Sequence, residues 1–98
     1  MIPMTISKSM VLKKEHANKI LNVENSLSLI IPDNEFSSGD ALIIFNNSDE
    51  SISIESNVLN SYASGYSGKI KLKFFPARCL INAIFIDQNT IVFTKGNS

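Results

Sequence analysis

Residues 27–54, LSLIIPDNEFSSGDALIIFNNSDESISI, decide the fold of this chain. Near each end of the stretch every second residue is apolar, as at Leu27, Leu29 and Ile31 and at Ile52 and Ile54. In the middle, Ala41–Phe45 is apolar at every position, so a strand there would be apolar on both faces. Clusters of Asp, Asn, Ser and Gly separate the apolar runs. This pattern predicts three strands, with a corner at 36–40 that uses the free backbone of glycine and a tight hairpin at 46–50.

The same two-residue rhythm predicts further strands on either side. These lie at residues 5–12, 19–23, 58–59, 69–75, 80–86 and 90–94, and the last two form a hairpin. Polar residues 13–18 predict a helical turn or a loop, and the Ser-, Gly- and Tyr-rich residues 60–68 predict a loop. We therefore expect an all-β fold, a compact antiparallel β-sandwich or barrel-like domain of about eight short strands. Residues 1–98 make one domain, with 1–9 as an extended N-terminal arm or first strand.

Composition excludes several classes of partner. Nine basic and nine acidic residues cancel, which argues against nucleic acid and against an anionic membrane surface. No apolar run approaches the roughly 20 residues that span a bilayer, so we expect no membrane insertion. The N-terminal segment lacks the pattern of a secretory signal, which favours synthesis in a cytoplasm. Cys79 is the single cysteine, so an internal disulfide is excluded and a buried thiol is expected.

The chemistry-bearing residues do not predict an enzyme. His16 is the only histidine, so no multi-histidine metal site is available, and we expect no cofactor. His16 lies in a predicted polar turn and Cys79 in a predicted apolar strand. We therefore expect a turn residue and a core residue rather than a catalytic pair. The acidic residues near Asp33 and Asp49 lie in predicted corners, where Asp is a common turn residue.

Two tyrosines stand in the predicted loop. Tyr62 and Tyr66 among small residues are candidates for contact with a partner or ligand, because tyrosine offers a large contact area at low entropic cost. The simpler alternative is that both rings pack on the sheet and leave their hydroxyl groups at its rim. The sequence favours this simpler alternative.

The strand at 69–75 alternates between lysine and apolar residues. Its lysines are Lys69, Lys71 and Lys73, and its apolar residues are Ile70, Leu72 and Phe74. We expect the apolar residues to be buried and the lysines to form a solvated face or a guard against pairing between sheet edges. The three lysines are also candidates for contact with an anionic ligand. Binding of nucleic acid is weakly supported, because no exposed aromatic residues interleave with them.

The order of elements resembles a small β domain of bacteriophage tail-fibre and other virion structural proteins. The matching motifs are Leu12, His16-Ala17-Asn18-Lys19, Leu29-Ile30-Ile31-Pro32, Phe36-Ser37-Ser38-Gly39, Ile43-Ile44-Phe45-Asn46, Ser51-Ile52-Ser53-Ile54, Ile70-Lys71-Leu72, Ala77-Arg78-Cys79-Leu80-Ile81, Asn89-Thr90-Ile91-Val92-Phe93 and Gly96. They cover the chain from Met10 to Asn97. Asn18 replaces the usual glycine and Ile91 replaces a frequent tryptophan.

The resemblance implies a non-enzymatic structural protein of the virion that assembles as a homotrimer. A chain that begins with Met1 shortly before the pattern suggests a separate decoration, collar or tail-fibre accessory subunit. Its partners would be its own copies and other virion proteins, through the strands Ala41–Phe45 and Leu80–Ile86, which are apolar on both faces. The alternative is a receptor- or carbohydrate-binding module that uses Tyr62 and Tyr66 on a host surface glycan.

Overall fold

The computed structural model describes residues 2–95, with the backbone alone at Lys95, and this part of the chain is almost entirely β-structure. A 3₁₀ turn at Lys14–His16 confirms the predicted helical turn. Gly96, the last residue of the resemblance, lies outside the described residues. The strands in chain order are β1 (Met4–Ile6), β2 (Met10–Val11), β3 (Ile20–Val23), β4 (Ser28–Ile31), β5 (Ala41–Asn46), β6 (Ile52–Ser56), β7 (Asn60–Ala63), β8 (Leu72–Phe75), β9 (Leu80–Asp87) and β10 (Thr90–Lys95).

The strands form two sheets of unequal size. The larger sheet has the order β1-β3-β5-β9-β10-β7, and the smaller has the order β2-β4-β6-β8. The predicted sandwich is confirmed, but antiparallel pairing throughout is wrong. Strands β1, β3 and β5 run parallel to one another, as do β2, β4 and β6, and β7 is parallel to β10. Antiparallel pairing joins β5 to β9, β9 to β10 and β6 to β8.

The parallel pairing follows from the path of the chain. From β1 to β6 successive strands alternate between the two sheets. The chain therefore crosses the sandwich twice before it returns to the same sheet, and it returns in the same direction. Leu21 of β3, for example, pairs with Met4 of β1 on one side and with Ile44 of β5 on the other.

The segment 46–50 connects the two sheets and is not the predicted hairpin. Leu42 and Ile44 of β5 and Ile52 and Ile54 of β6 are all buried in one core, but β5 and β6 belong to different sheets. A two-residue rhythm identifies the side chains that face inward. It does not distinguish a strand that pairs with the preceding strand in the same sheet from one that packs against it in the other sheet. The hairpin prediction fails for this reason.

Residues 5–12 form two strands in different sheets rather than one. The predicted strand at 58–59 is wrong, and the predicted loop at 60–68 is confirmed only at 64–68, because β7 occupies Asn60–Ala63. Ser61 of β7 is buried, and its hydroxyl donates to the Val58 carbonyl at 2.9 Å. Because its hydroxyl is hydrogen-bonded, Ser61 can occupy an inward position of the strand. The strand therefore lacks the alternating apolar pattern that predicts strands from sequence.

Strand β8 buries the face opposite to the predicted one. Phe75 is buried, whereas Leu72 is 49% exposed and Phe74 is 65% exposed. Phe75 pairs with the buried Ile52 of β6. Because directly paired residues project from the same face of a sheet, this register places Phe75 inside and Phe74 outside.

The C-terminal hairpin is confirmed. Strands β9 and β10 pair antiparallel, and the turn between them is fixed by the Asn89 N–H, which donates to Asp87 Oδ1 at 2.8 Å.

Cys79 is buried in the core, as expected. The core fills the space between the two sheets with side chains from both. Its largest fully buried members are Phe75, Phe85, Leu12, Leu21, Leu29, Ile31, Leu42, Ile44, Ile52, Ile54, Ile81 and Ile91.

The corner before β5 is held by backbone geometry and ring packing. Gly39 has a φ of +87°, a region that costs glycine little and other residues more. The Phe36 ring stacks on Phe85 with centroids 4.8 Å apart. Asn18 has a φ of +61° and its Oδ1 accepts the Ala41 N–H at 3.0 Å. Asparagine thus fills the position where the resemblance expects glycine.

Candidate interaction surfaces

The outer face of the six-stranded sheet is apolar along β5 and β9. Leu80, Ile84 and Ile86 of β9 are exposed, and Phe45 of β5 is half-buried. Phe45 lies directly beside Leu80, and Ala41 lies directly beside Ile84. These are the two strands that the sequence identifies as apolar on both faces, and the structure places them next to each other.

This surface continues onto the neighbouring strands, and among its described residues a charge occurs only at one end, where the exposed Asp87 ends β9. Ile20 of β3 lies beside Ile43, and Val92 of β10 lies between Ile84 and Tyr62. We call it the apolar face. Its described outward residues are Thr5, Ile20, Asn22, Ala41, Ile43, Phe45, Asn60, Tyr62, Leu80, Asn82, Ile84, Ile86, Val92 and Thr94. Depletion of charge marks the centre of protein interfaces more clearly than apolar content alone.

The two tyrosines lie in different places. Tyr62 belongs to β7, where it alternates with the buried Ser61 and Ala63 and so faces outward on the apolar face. Tyr66 lies in the connection between β7 and β8 and is 62% exposed. The ammonium group of Lys73 sits 4.1 Å from the centre of the Tyr66 ring. The structure therefore brings Tyr66 together with Lys73 and separates both from Tyr62.

The other two candidate lysines are exposed near the start of β8. Lys69 Nζ donates to the Leu59 carbonyl at 3.5 Å, and Lys71 is exposed. Strand β8 is the last strand of its sheet. Lysines on an edge strand discourage pairing with the edges of other sheets. Lys73 lies within β8, whereas Lys69 and Lys71 precede it, and the guard role stays a prediction.

The outer face of the four-stranded sheet carries a row of serine hydroxyls beside a second row formed by Val11, Ile30, Glu55 and Leu72. Ser28 and Ser53 are paired neighbours whose hydroxyl oxygens lie 2.7 Å apart, and Ser9 Oγ accepts the Ser28 N–H at 2.9 Å. Phe74 lies beside Ser53 in the next strand. These residues line a shallow hollow of about 320 Å³. We call Ser9, Ser28, Ser53 and Phe74 the serine face.

Phe74 is the surface residue that the sequence interpretation misses. The alternation with lysines assigned it to the core, whereas it is one of the most exposed aromatic side chains described. The adjacent pair Phe74 and Phe75 carried the relevant signal, because neighbouring residues in a strand face opposite ways. One of the two rings had to point outward whatever the register.

The titratable groups form a structural network at the corner before β5. The Asp40 carboxylate accepts hydrogen bonds from Lys14 Nζ, from the Ser37 N–H at 2.9 Å and from Asn18 Nδ2 at 3.2 Å. The bond from Lys14 and then the bond from Ser37 hold the pKa of Asp40 below its usual value of 3.8. His16 is buried, and its Nδ1 accepts the Lys13 N–H at 2.8 Å, as expected for a turn residue.

Within residues 2–95 no group of three or more His, Cys, Asp or Glu side chains is placed to hold a metal ion. The helical content of the same residues includes no segment of the length and hydropathy that a membrane span requires. Comparison with protein-family models, with curated proteins and with solved structures found no match to this chain. The apolar face and the serine face are the described surfaces that could contact a partner or a ligand.

Proposed function

We propose that this protein is a non-enzymatic structural subunit of a bacteriophage virion, in which copies associate through the apolar face. It would be made in the host cytoplasm and added to the particle as a homotrimeric decoration, collar or tail-fibre accessory protein. The single observation that carries the assembly role is the exposed apolar surface of Leu80, Ile84 and Ile86 on the six-stranded sheet, where the only charge among the described residues is Asp87 at the end of β9. The resemblance to virion β domains supplies the location.

The size of the apolar face suits an interface between copies. Six strands spaced by about 4.8 Å and extending about 20 Å give roughly 500 Å² per copy. Two copies packed face to face would bury about 1,000 Å², near the lower bound for a specific interface, whereas a trimer divides each face between two neighbours and buries about 1,500 Å² in total. Fully burying an exposed aliphatic side chain contributes about 1.5–3 kcal/mol, so several such residues offset a typical cost of association.

A trimer uses this surface in a particular way. Three copies around a threefold axis present different patches to their two neighbours, whereas a twofold dimer pairs one patch with itself. In the proposed trimer β5 and β9 lie nearest the axis, with Ile84 and Phe45 at the centre of the contact. The polar residues Asn22 and Asn82 lie on the same face and provide hydrogen-bonding groups within it.

Light scattering after size-exclusion chromatography tests the proposal. We expect the wild type to have three times the chain mass of 10.8 kDa. Ile84→Glu should give a folded monomer, because it places a charge in the contact, and Ser53→Glu on the opposite sheet should remain a trimer. A wild type that is monomeric at about 100 μM, well above the roughly micromolar constants of weak interfaces, overturns the assembly role. A dimer would support the contact and overturn the trimer.

A second candidate function is binding of a host surface glycan, and the serine face favours it. The exposed Phe74 ring offers a flat apolar surface for the C–H face of a sugar, and the hydroxyls of Ser28 and Ser53 offer donors and acceptors beside it. Small-molecule sites combine apolar surface with a few polar groups in this way. The role would extend to Tyr66, which lines a cleft together with Phe74.

Glycan screening with aromatic variants separates the two functions. If the serine face binds sugar, Phe74→Ala should abolish the signal and Tyr66→Ala should weaken it. Tyr62→Ala provides the matched control, because Tyr62 lies on the other sheet. Equal binding by the wild type and Phe74→Ala would remove the glycan function from this surface.

A further inference from the structure

Strand β8 leaves one edge of the four-stranded sheet unpaired. In its pairing with β6, the Ser56 N–H donates to the Lys71 carbonyl at 2.6 Å, and Lys73 and Phe75 continue the alternation opposite Ile54 and Ile52. Hydrogen-bonded and non-hydrogen-bonded pairs alternate in an antiparallel ladder. The N–H and C=O groups of Leu72 and Phe74 therefore point away from β6, toward the open edge.

A cleft of about 500 Å³ adjoins this edge. Lys73 and Phe75 of β8 line one side of the cleft, Phe93 of β10 lines another, and Tyr66 lies at its rim. The six-stranded sheet has two strands more than the smaller sheet, so the larger sheet offers surface beyond β8. An added strand beside β8 would lie along this cleft.

The charges around the edge select the chemistry of that strand. Glu55 of β6 lies beside Leu72, but between Glu55 and Asp87 the chain carries four basic residues and no carboxylate. Arg78 is already paired with Asp49 at 2.8 Å. For the remaining cations, Lys69, Lys71 and Lys73, no carboxylate lies within 4 Å in residues 2–95. The lysines disfavour another basic edge and attract an acidic segment.

We propose that the open edge of β8 binds an extended acidic segment of a partner protein as an added β-strand. Main-chain hydrogen bonds to Leu72 and Phe74 would provide affinity, and the lysines would provide selectivity for carboxylates. The partner is not a second copy paired through its own edge, because strands β1, β2, β7 and β8, which end the two sheets, contain no Asp or Glu. The site is separate from the apolar face and does not depend on the oligomeric state.

Fluorescence anisotropy with two labelled eight-residue peptides tests the site. The acidic probe alternates Glu with Val, and the basic probe alternates Lys with Val. We expect the acidic probe to bind and the basic probe to bind at least about tenfold more weakly, with acidic binding reduced by salt. Lys71→Glu with Lys73→Glu should reduce acidic binding, whereas Lys8→Glu, just before β2 at the other end of the sheet, should not.

A matched pair of variants tests the main-chain contact. Phe74→Pro removes the outward N–H, and Phe74→Ala removes the ring and keeps that N–H. The proline variant should bind the acidic probe about tenfold more weakly than the alanine variant, the loss expected for one hydrogen bond. Ile84→Glu should bind as the wild type does, which distinguishes this site from the assembly contact.

Amide exchange in the wild type keeps the test decisive if the proline variant does not fold. Saturating acidic probe should slow the exchange of the Leu72 and Phe74 amides by at least about tenfold relative to that of Lys73, which already lies in the ladder. Unchanged exchange at both residues, or equal binding of the acidic and basic probes, would overturn the proposal.

Discussion

The outer faces of the two sheets differ although their inner faces are alike. Both sheets bury alternate aliphatic residues, such as Ile44 in the larger and Ile54 in the smaller. The larger sheet then presents Leu80 and Ile84 outward among uncharged neighbours, whereas the smaller presents Ser28, Ser53 and the charged Glu55 beside Ile30. Folding requires the inner residues to be apolar, but it places no such demand on the outer ones. The outer faces are therefore the better record of what the molecule contacts.

The largest expected effect compares an isoleucine on the inner face with one on the outer face. Ile54 is 1% exposed and Ile84 is 49% exposed. Ile54→Ala should lower the free energy of unfolding by about 2–5 kcal/mol, because it leaves a cavity in the core. Ile84→Ala should change it by about 0.5 kcal/mol or less when the chain is monomeric.

Urea denaturation at a concentration where both variants are monomeric measures this difference. Ile84→Ala should instead weaken association in the light-scattering experiment. A similar loss of monomer stability in both variants would show that the apolar face is packed within a single chain, and the contrast between inner and outer residues would not hold.

The next effect compares a fully buried polar residue with a half-buried one on an outer face. Asn46 is fully buried, and its Nδ2 donates to the Glu50 carbonyl at 2.8 Å and to the Pro76 carbonyl at 2.9 Å. Asn46→Ala should cost about 1–3 kcal/mol, because carbonyl groups lose their partner. Ser53→Ala, on the serine face, should cost about 0.5 kcal/mol or less. Thermal unfolding of both variants tests the order, and an equal loss would contradict it.

The smallest effect concerns the charged corner, which belongs to neither outer face. The pKa of Asp40 is lowered, chiefly by the hydrogen bond from Lys14. The ionised carboxylate therefore stabilises the fold above the ordinary pKa of 3.8, and this contribution disappears as the pH falls through the lower pKa of the folded state. Asp40→Asn should cost about 1 kcal/mol at pH 6, because Lys14 is half-exposed and the pair is screened.

The control for Asp40→Asn is the pH dependence of its effect on stability. The difference in stability between the wild type and Asp40→Asn should shrink as the pH falls from 6 toward 2.5. Urea denaturation across that range, with Asp49→Asn as the exposed comparison, measures it. A difference that stays constant with pH would show that the Asp40 charge does not contribute.

The sequence predicts which residues of most strands face inward but not how the strands pair. Leu21 and Val23 of β3 are buried as their alternation indicates. The error at 46–50 arises because alternation carries no information about which sheet follows. The error at β8 arises because Phe74 and Phe75 are both apolar, and only the distant pairing with Ile52 selects between them.

Some features of the candidate surfaces can likewise be predicted from the sequence, and others depend on how the strands pair. The apolar face could be predicted from strands β5 and β9, because each is apolar at both odd and even positions. The pairing of Tyr66 with Lys73, the exposure of Phe74 and the open edge of β8 could not, because each depends on where a later strand meets an earlier one.

The winding of the first six strands has a consequence for biosynthesis. No two consecutive strands from β1 to β6 pair, and β5 acquires its antiparallel neighbour only from β9, which is synthesised about forty residues later. A chain still emerging from the ribosome cannot display β5 and β9 side by side. If copies associate as proposed, they would have no complete surface to recognise until β9 has been synthesised and has emerged, so association would follow synthesis of residue 87.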